Sequence, residues 1–173
     1  MRVAFRCIAL LALAASIWPE LGRYRAEWML AQASGRLERV LRHADQSPGA
    51  LASVEQAEAL ARRSAHLLPG DARPPLLLGI ALILQGRAAD AIDVLETAIA
   101  QGERPELTLN LGRARSSLGD EAGASAAYLR AAWASPGAIA TLPAAMRASL
   151  QEQVESLESE LRAGRLAHPP PLP

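Results

Sequence analysis

An internal repeat constrains the fold of this chain more than any other feature. When residues 74–102 are aligned with residues 106–135 at an offset of 33, small and apolar residues coincide at nine positions. The coincident pairs are Leu76 with Leu109, Leu78 with Leu111, Gly79 with Gly112, Ala81 with Ala114, Gly86 with Gly119, Ala89 with Ala122, Ala91 with Ala124, Leu95 with Tyr128 and Ala98 with Ala131. Repeats of this length are structural units whose neighbours bury a shared core.

Each copy divides at its second glycine into two stretches that favour helices. Gly86 and Gly119 stand where a chain leaving one helix takes a left-handed conformation, which glycine adopts without steric cost. Gly79 and Ala91 are small enough to let two helices approach closely, and Leu95 is large enough to fill the gap between units. The pattern predicts a helical hairpin in each copy.

The composition also predicts an all-α fold. Half of the residues are apolar, but only 3% are aromatic, and most of the apolar residues are Ala and Leu. Both are strong helix formers, whereas the β-branched residues that favour strands are sparse. At 173 residues the chain has room for one domain with an appended segment.

The repeated positions resemble the tetratricopeptide repeat, a helix-turn-helix unit of about 34 residues. The second copy matches the family pattern at Leu111, Gly112, Ala124, Tyr128, Ala131 and Pro136. The first copy matches at Leu78, Gly79, Ala91, Leu95 and Ala98, but it lacks the closing proline and has Leu82 and Pro75 where the family often has Tyr and Trp. The resemblance implies a short helical solenoid whose first helices line a concave groove for a peptide or helical partner.

That resemblance places eleven residues in the partner groove. They are Arg73, Leu76, Ile80, Ile83 and Leu84 from the first copy, and Glu106, Leu109, Asn110, Arg113, Ser116 and Ser117 from the second. Some chaperone-binding members of the family bind a C-terminal carboxylate with Lys and Asn side chains. This chain has Asn110 but contains no lysine. An alternative is that Leu76, Ile80 and Ile83 pack under the upstream helices.

A third, partial copy and two flanking helices complete the predicted array. Residues 54–71 carry Ala57, Ala61, Ser64 and Pro69 at the spacing expected for the second helix of a repeat. Ser53 with Gln56 suggests a capping box at the start of this helix. The segment 45–49 interrupts the first helix, so its partner is expected to be the longer helix that ends near His43. A capping helix is predicted from one apolar stripe, formed by Met146, Leu150, Val154, Leu157 and Leu161.

The predicted organisation has five segments. Residues 1–22 form a membrane anchor or signal segment, and residues 23–52 form a linking helix and loop. Residues 53–136 hold the repeats, residues 137–166 the capping helix, and residues 167–173 a proline-rich tail that is expected to be extended.

The N-terminal segment has three interpretations. An apolar run from Cys7 to Trp18 follows Arg2 and Arg6, and counting from residue 3 gives sixteen residues, or about 24 Å of helix against roughly 30 Å of hydrocarbon. We favour an uncleaved anchor through residues 3–18, because Trp18, Tyr24 and Trp28 stand where aromatic residues mark a membrane interface. A cleaved signal peptide and an ordinary buried helix are the alternatives.

The sequence favours binding over catalysis. Its formal net charge is +0, which gives no support to nucleic-acid binding, and it has no phosphate-cradling glycine loop, metal-ligand spacing or nucleophile elbow. We expect no enzyme activity, cofactor, metal or small-molecule substrate. All the basic residues are arginine, a bias typical of a GC-rich bacterial genome.

The expected function is therefore that of a scaffold or adaptor for protein partners. We expect it to be a single-pass protein of the bacterial inner membrane with its C-terminal domain in the periplasm, or a periplasmic protein after signal cleavage. By analogy with anchored repeat proteins, polysaccharide export or pilus biogenesis is the expected context. The alternative is a small structural subunit of an integral membrane complex, docked by its N-terminal helix.

Overall fold

The described part of the chain is all-α, as the sequence predicts. A computed structural model of the protein describes residues 2–44, 47–165 and 168, and for residues 2–19 it describes the backbone only. Within these ranges there are seven α-helices and a short 3-10 helix. They are α1 (Arg2–His43), α2 (Pro48–Leu67), α3 (Arg73–Leu84), α4 (Ala88–Gln101), α5 (Pro105–Ser117), α6 (Glu121–Ala134), the 3-10 helix (Ala138–Thr141) and α7 (Ala144–Arg162).

The two copies of the repeat turn at equivalent glycines. Gly86 has a φ of 72° and Gly119 a φ of 78°, so both adopt the left-handed conformation that the sequence predicts. Arg87 then donates its backbone N–H to the carbonyl of Leu82 at 2.9 Å, and Asp120 donates to Arg115 at 3.0 Å. These bonds close the ends of α3 and α5 in the same way.

The same offset relates the contacts inside the two hairpins. A Cβ added at Gly79 of α3 would lie 2.8 Å from Cδ2 of Leu95 in α4, and a Cβ added at Gly112 of α5 would lie 2.6 Å from Cε1 of Tyr128 in α6. Both large side chains are buried. The absence of a side chain at each glycine is thus what lets the two helices approach closely.

The start of α2 differs from the predicted capping box. The helix begins at Pro48, within the segment 23–52 assigned to a linking helix and loop, and Ser47 caps it by accepting a hydrogen bond from the backbone of Ala50 at 3.2 Å. Ser53 lies inside the helix and donates its hydroxyl to the carbonyl of Gly49 at 2.9 Å. The capping-box prediction was wrong because Ser47 followed by a proline at the first helical position is the better start signal.

The core lies between successive helices. Each helix from α1 to α6 packs on the next, α1 and α5 also contact α3, and α7 packs on α6. The helix that ends at His43 is therefore the partner of α2, as predicted. In α7 the apolar stripe packs through Leu150 and Val154, whereas Met146 and Leu161 are exposed.

Two predicted segments are described only in part. The side chains of the anchor, residues 3–18, are not described, and of the tail, residues 167–173, only His168 is. In the part of the chain that the structure describes, we find no helix with the length and apolar character needed to cross a membrane.

Candidate partner-binding site

A surface groove runs between α1 and α3. Its two depressions have volumes of about 360 and 380 Å³, and Ser34 and Leu77 line both. We call this surface the α1–α3 groove; it is lined by Glu27, Leu30, Ala31, Ser34, Leu37, Glu38, Leu41, Arg42, Arg73, Leu76, Leu77 and Ile80. Its floor is apolar and its two ends carry charged side chains, a combination that suits an amphipathic partner segment.

The apolar floor is held in place by the core beneath it. Leu37 of α1 is buried in a cluster with Ala57 of α2, and Leu77 and Ile80 of α3 pack against that cluster. Leu77 and Ile80 are only partly buried, so each presents part of its side chain to the core and part to the groove. The floor is thus built on packed helices, which fix its shape.

Arg73 organises one end of the groove. Its guanidinium donates to both carboxylate oxygens of Glu27 in α1, at 2.6 and 2.8 Å, and to Asp71 at 2.6 Å. These hydrogen bonds hold the pKa of the Glu27 carboxyl and that of the Asp71 carboxyl below their ordinary values, and they raise the pKa of Arg73. All three groups are therefore charged at neutral pH, and Arg73 joins α1 to α3.

A second groove lies between α3 and α5. It has a volume of about 630 Å³ and is lined by Gly70, Asp71, Ala72, Arg73, Leu76, Arg104, Glu106 and Leu107. Arg73 and Leu76 also line the α1–α3 groove, so they stand on the ridge between the two. This second groove is the more polar, because four of its eight lining residues are charged, against four of twelve in the α1–α3 groove.

The structure brings four of the predicted partner residues together. Arg73 and Leu76 line both grooves, Ile80 lines the α1–α3 groove, and Glu106 lines the α3–α5 groove. Ile83 packs partly buried against the central core, and Leu84 is exposed at the end of α3. The alternative interpretation, that Leu76, Ile80 and Ile83 pack under the upstream helices, therefore also holds in part, since each residue touches a core cluster.

Two predicted partner residues of α5 lie in the interior instead. Leu109 and Asn110 are each 5% exposed, and Leu109 belongs to the core cluster that includes Ile139 of the 3-10 helix. Asn110 donates its side-chain amide to the carbonyl of Glu106 at 2.8 Å and accepts from Arg113 at 3.1 Å. The prediction that these two residues lie on the partner surface is therefore wrong, because both are buried.

Arg113 is held by neighbouring residues. In addition to Asn110, its guanidinium donates to the hydroxyl of Thr141, which lies after α6 at the end of the 3-10 helix. Ser116 is partly buried, and the exposed Ser117 donates its hydroxyl to the carbonyl of Arg113 at 2.9 Å. Arg113 thus joins α5 to the segment after α6, whereas the hydrogen bond of Ser117 stays within α5.

One wall of the α1–α3 groove was not predicted from the sequence. It consists of α1 residues, among them Leu30, Ser34, Leu37 and Leu41. Their spacing of three and four residues marks one face of a helix, and this was the available signal. The predicted groove residues came only from the two copies of the repeat, so the helix that precedes them was missed.

The chemistry of the two grooves is that of apolar and charged side chains. The described residues that line the two grooves include no histidine or cysteine, and the described part of the chain holds no group of three His, Cys, Asp or Glu placed to hold a metal ion. The groups available are apolar side chains, arginines and carboxylates. These groups can make apolar contacts and ion pairs with another molecule.

Comparison of the chain with protein-family models, with curated proteins and with solved structures found no match.

Proposed function

We propose that this protein is a non-catalytic scaffold built as a short solenoid of tetratricopeptide type. The repeated geometry supports this: the left-handed glycines, the helix-closing hydrogen bonds and the close glycine contacts all recur at an offset of 33. The contacts of α3 with both α1 and α5 also support it, because first helices of successive units adjoin one another in such solenoids.

The observation that carries the function is the apolar floor of the α1–α3 groove. Leu41, Leu76, Leu77 and Ile80 all keep accessible surface there, and apolar side chains that are exposed together rather than singly mark interaction sites. The groove runs along α1 from residue 27 to residue 42, which corresponds to about 23 Å of helix. We propose that it holds an amphipathic helix of another protein, whose apolar face covers these four residues.

The charged side chains give this partner a direction. Arg73 and Glu27 stand at one end of the groove, and Glu38 and Arg42 form an ion pair at the other. Exposed ion pairs contribute little to affinity, but charged rims favour partners of complementary pattern and disfavour others. The apolar floor then supplies the affinity and the two ends supply the register.

A site-specific photo-crosslinker tests this proposal. Leu41 is 54% exposed and lines the groove, so a crosslinking residue at this position should capture the partner in living cells. Ala100, exposed on α4, is the matched control position. A protein captured at position 41, not at position 100, and lost in an Ile80→Asp variant supports the groove. Equal capture at both positions contradicts it.

We further propose that residues 3–18 tether the scaffold to the bacterial inner membrane, with the repeats in the periplasm and a role in envelope assembly. The apolar run between Cys7 and Trp18 supports the tether. Alkaline phosphatase fused after Pro173 should then be active, and the fusion should stay with membranes in carbonate. A mature N-terminus near Ala15 or Ile17 would show a cleaved signal instead.

A further inference from the structure

The first described side chains of α1 form an apolar stripe that no other described element covers. Leu21, Tyr24 and Trp28 are 57%, 74% and 54% exposed, and their spacing of three and four residues places them on one face of the helix. The opposite face carries Ala33 and Leu37, which are buried against α2 and α3. The stripe thus points away from the packed domain.

A cation lies at the edge of this stripe. Arg25 lies four residues after Leu21 and three before Trp28, so it shares their face of α1, and it is exposed. Among the described residues it has no ion-pair partner, whereas Arg23 pairs with Glu20 at 4.0 Å and Glu27 pairs with Arg73. The stripe therefore combines amphipathic aromatic rings with one positive charge that no described carboxylate pairs.

We propose that this stripe lies in the headgroup region of the bilayer, with Arg25 directed toward anionic lipid. The inference rests on the proposed tether, because the stripe begins three residues after the apolar run that ends at Trp18. Tyr and Trp favour this zone, since their rings are apolar at one end and wet at the other, and arginine is drawn to anionic headgroups. A second copy fits less well, because two parallel stripes would bring Arg25 against Arg25.

The dimensions of the helix set the tilt. Trp28 lies ten residues beyond Trp18, or about 15 Å along an ideal helix, whereas the headgroup region is only about 5–7 Å thick on each side. With a tilt of about 40°, at the upper end of the range for such helices, the axis at Trp28 lies about 11 Å above the hydrocarbon. A side chain on the lower face reaches about 4 Å back toward the bilayer, which brings Trp28 to the outer edge of the headgroup region.

The tilt has a consequence for the repeats. Residues Arg2–His43 form one continuous helix, and its packing against the domain begins at Ala26, two residues before Trp28. No loop therefore separates the stripe from the packed domain, so contact of the stripe with lipid fixes the orientation of the repeats. The scaffold is held against the membrane surface and does not swing on a flexible linker.

Tryptophan quenching in vesicles tests the inference. The full chain with Trp18→Phe and Trp133→Phe, which leaves Trp28 as its only tryptophan, is reconstituted into phosphatidylcholine and phosphatidylglycerol vesicles. Lipids that carry a nitroxide quencher on the headgroup should remove most of the Trp28 emission. A matched chain with Trp18→Phe and Trp28→Phe keeps only Trp133 of α6, whose emission should be unchanged.

The other outcomes separate this inference from the tether. A chain that stays with vesicles while Trp28 remains unquenched overturns the stripe contact and leaves the tether standing. A chain that does not stay with vesicles overturns both. Equal quenching of Trp28 and Trp133 shows general adsorption, and disulfide-linked dimers of a Cys7→Ser, Trp28→Cys chain show that a second copy covers the stripe; either result overturns the inference.

Discussion

A side chain at Gly112 should break the close contact between α5 and α6. A Cβ at this position would lie 2.6 Å from Cε1 and 2.7 Å from Cδ1 of Tyr128, and 3.2 Å from the carbonyl oxygen of Ala124. The Tyr128 ring is buried and the oxygen belongs to the backbone, so neither moves away cheaply. Overpacking of this kind costs about 1–3 kcal/mol, whereas exchanging glycine for alanine within a helix contributes at most about 1 kcal/mol.

Gly112→Ala should therefore lower the free energy of unfolding by about 1–2 kcal/mol, and Gly112→Val by about 2–3 kcal/mol, because its branches enter the same contact. For a chain of this size each 1 kcal/mol corresponds to about 2–4 °C in Tm, which circular dichroism melts of the detergent-purified protein resolve. Gly35→Ala in α1 is the control, since nothing lies within 4 Å of its added Cβ. It should gain about 0.5–1 kcal/mol from helix propensity alone.

The order of the melting temperatures of three alanine variants tests this reasoning. At Gly79 the added Cβ would meet Leu95 at 2.8 Å, a side chain with more freedom than the Tyr128 ring, so Gly79→Ala should fall between the other two alanine variants. If Gly112→Ala melts at or above the temperature of the unchanged protein, the close approach of α5 and α6 is refuted. The equivalence of the two copies would then lose its main packing argument.

Three further predictions concern single sites. Gly119→Ala should cost about 1–2 kcal/mol in thermal melts because of its left-handed φ, whereas Gly102→Ala, at an extended φ of 172°, should not incur that conformational cost. Arg113→Ala should cost about 1–3 kcal/mol, since it removes a hydrogen bond from the buried Asn110; a neutral result would contradict the described contact. Burial raises the pKa of Glu58, but hydrogen bonds and the charges of nearby arginines outweigh it and hold that pKa below 4.5. The ionised carboxylate therefore stabilises the fold fully above pH 4.5, and this stabilisation is lost as the pH falls through the lowered pKa. The Tm difference between the unchanged protein and Glu58→Gln should therefore shrink on acidification, and a constant difference would refute the pairing.

The repeat could be predicted from the sequence because its signals are local. A left-handed turn needs glycine at one position, and a close helix contact needs a small residue opposite a large one, as Gly112 stands opposite Tyr128. Both requirements appear directly in residue type and spacing. The start of α2 was missed for a different reason: Ser53 and Gln56 satisfy a capping pattern, but Ser47 and the proline after it satisfy a stronger one six residues earlier.

The groove could be predicted only in part, because an offset of 33 assumes that every unit has equal neighbours. The first helix of the array, α1, lies outside the repeat: Arg73 pairs with Glu27, 46 residues earlier, so no shift of 33 finds this contact. At the other end, the 3-10 helix contributes Ile139 to the cluster around Leu109. Helix α1, before the repeat, therefore builds one wall of the groove, and the 3-10 helix, after the repeat, helps to bury the predicted surface of α5. A short array is dominated by its ends, so a surface groove can form where a repeat meets a helix that is not part of it.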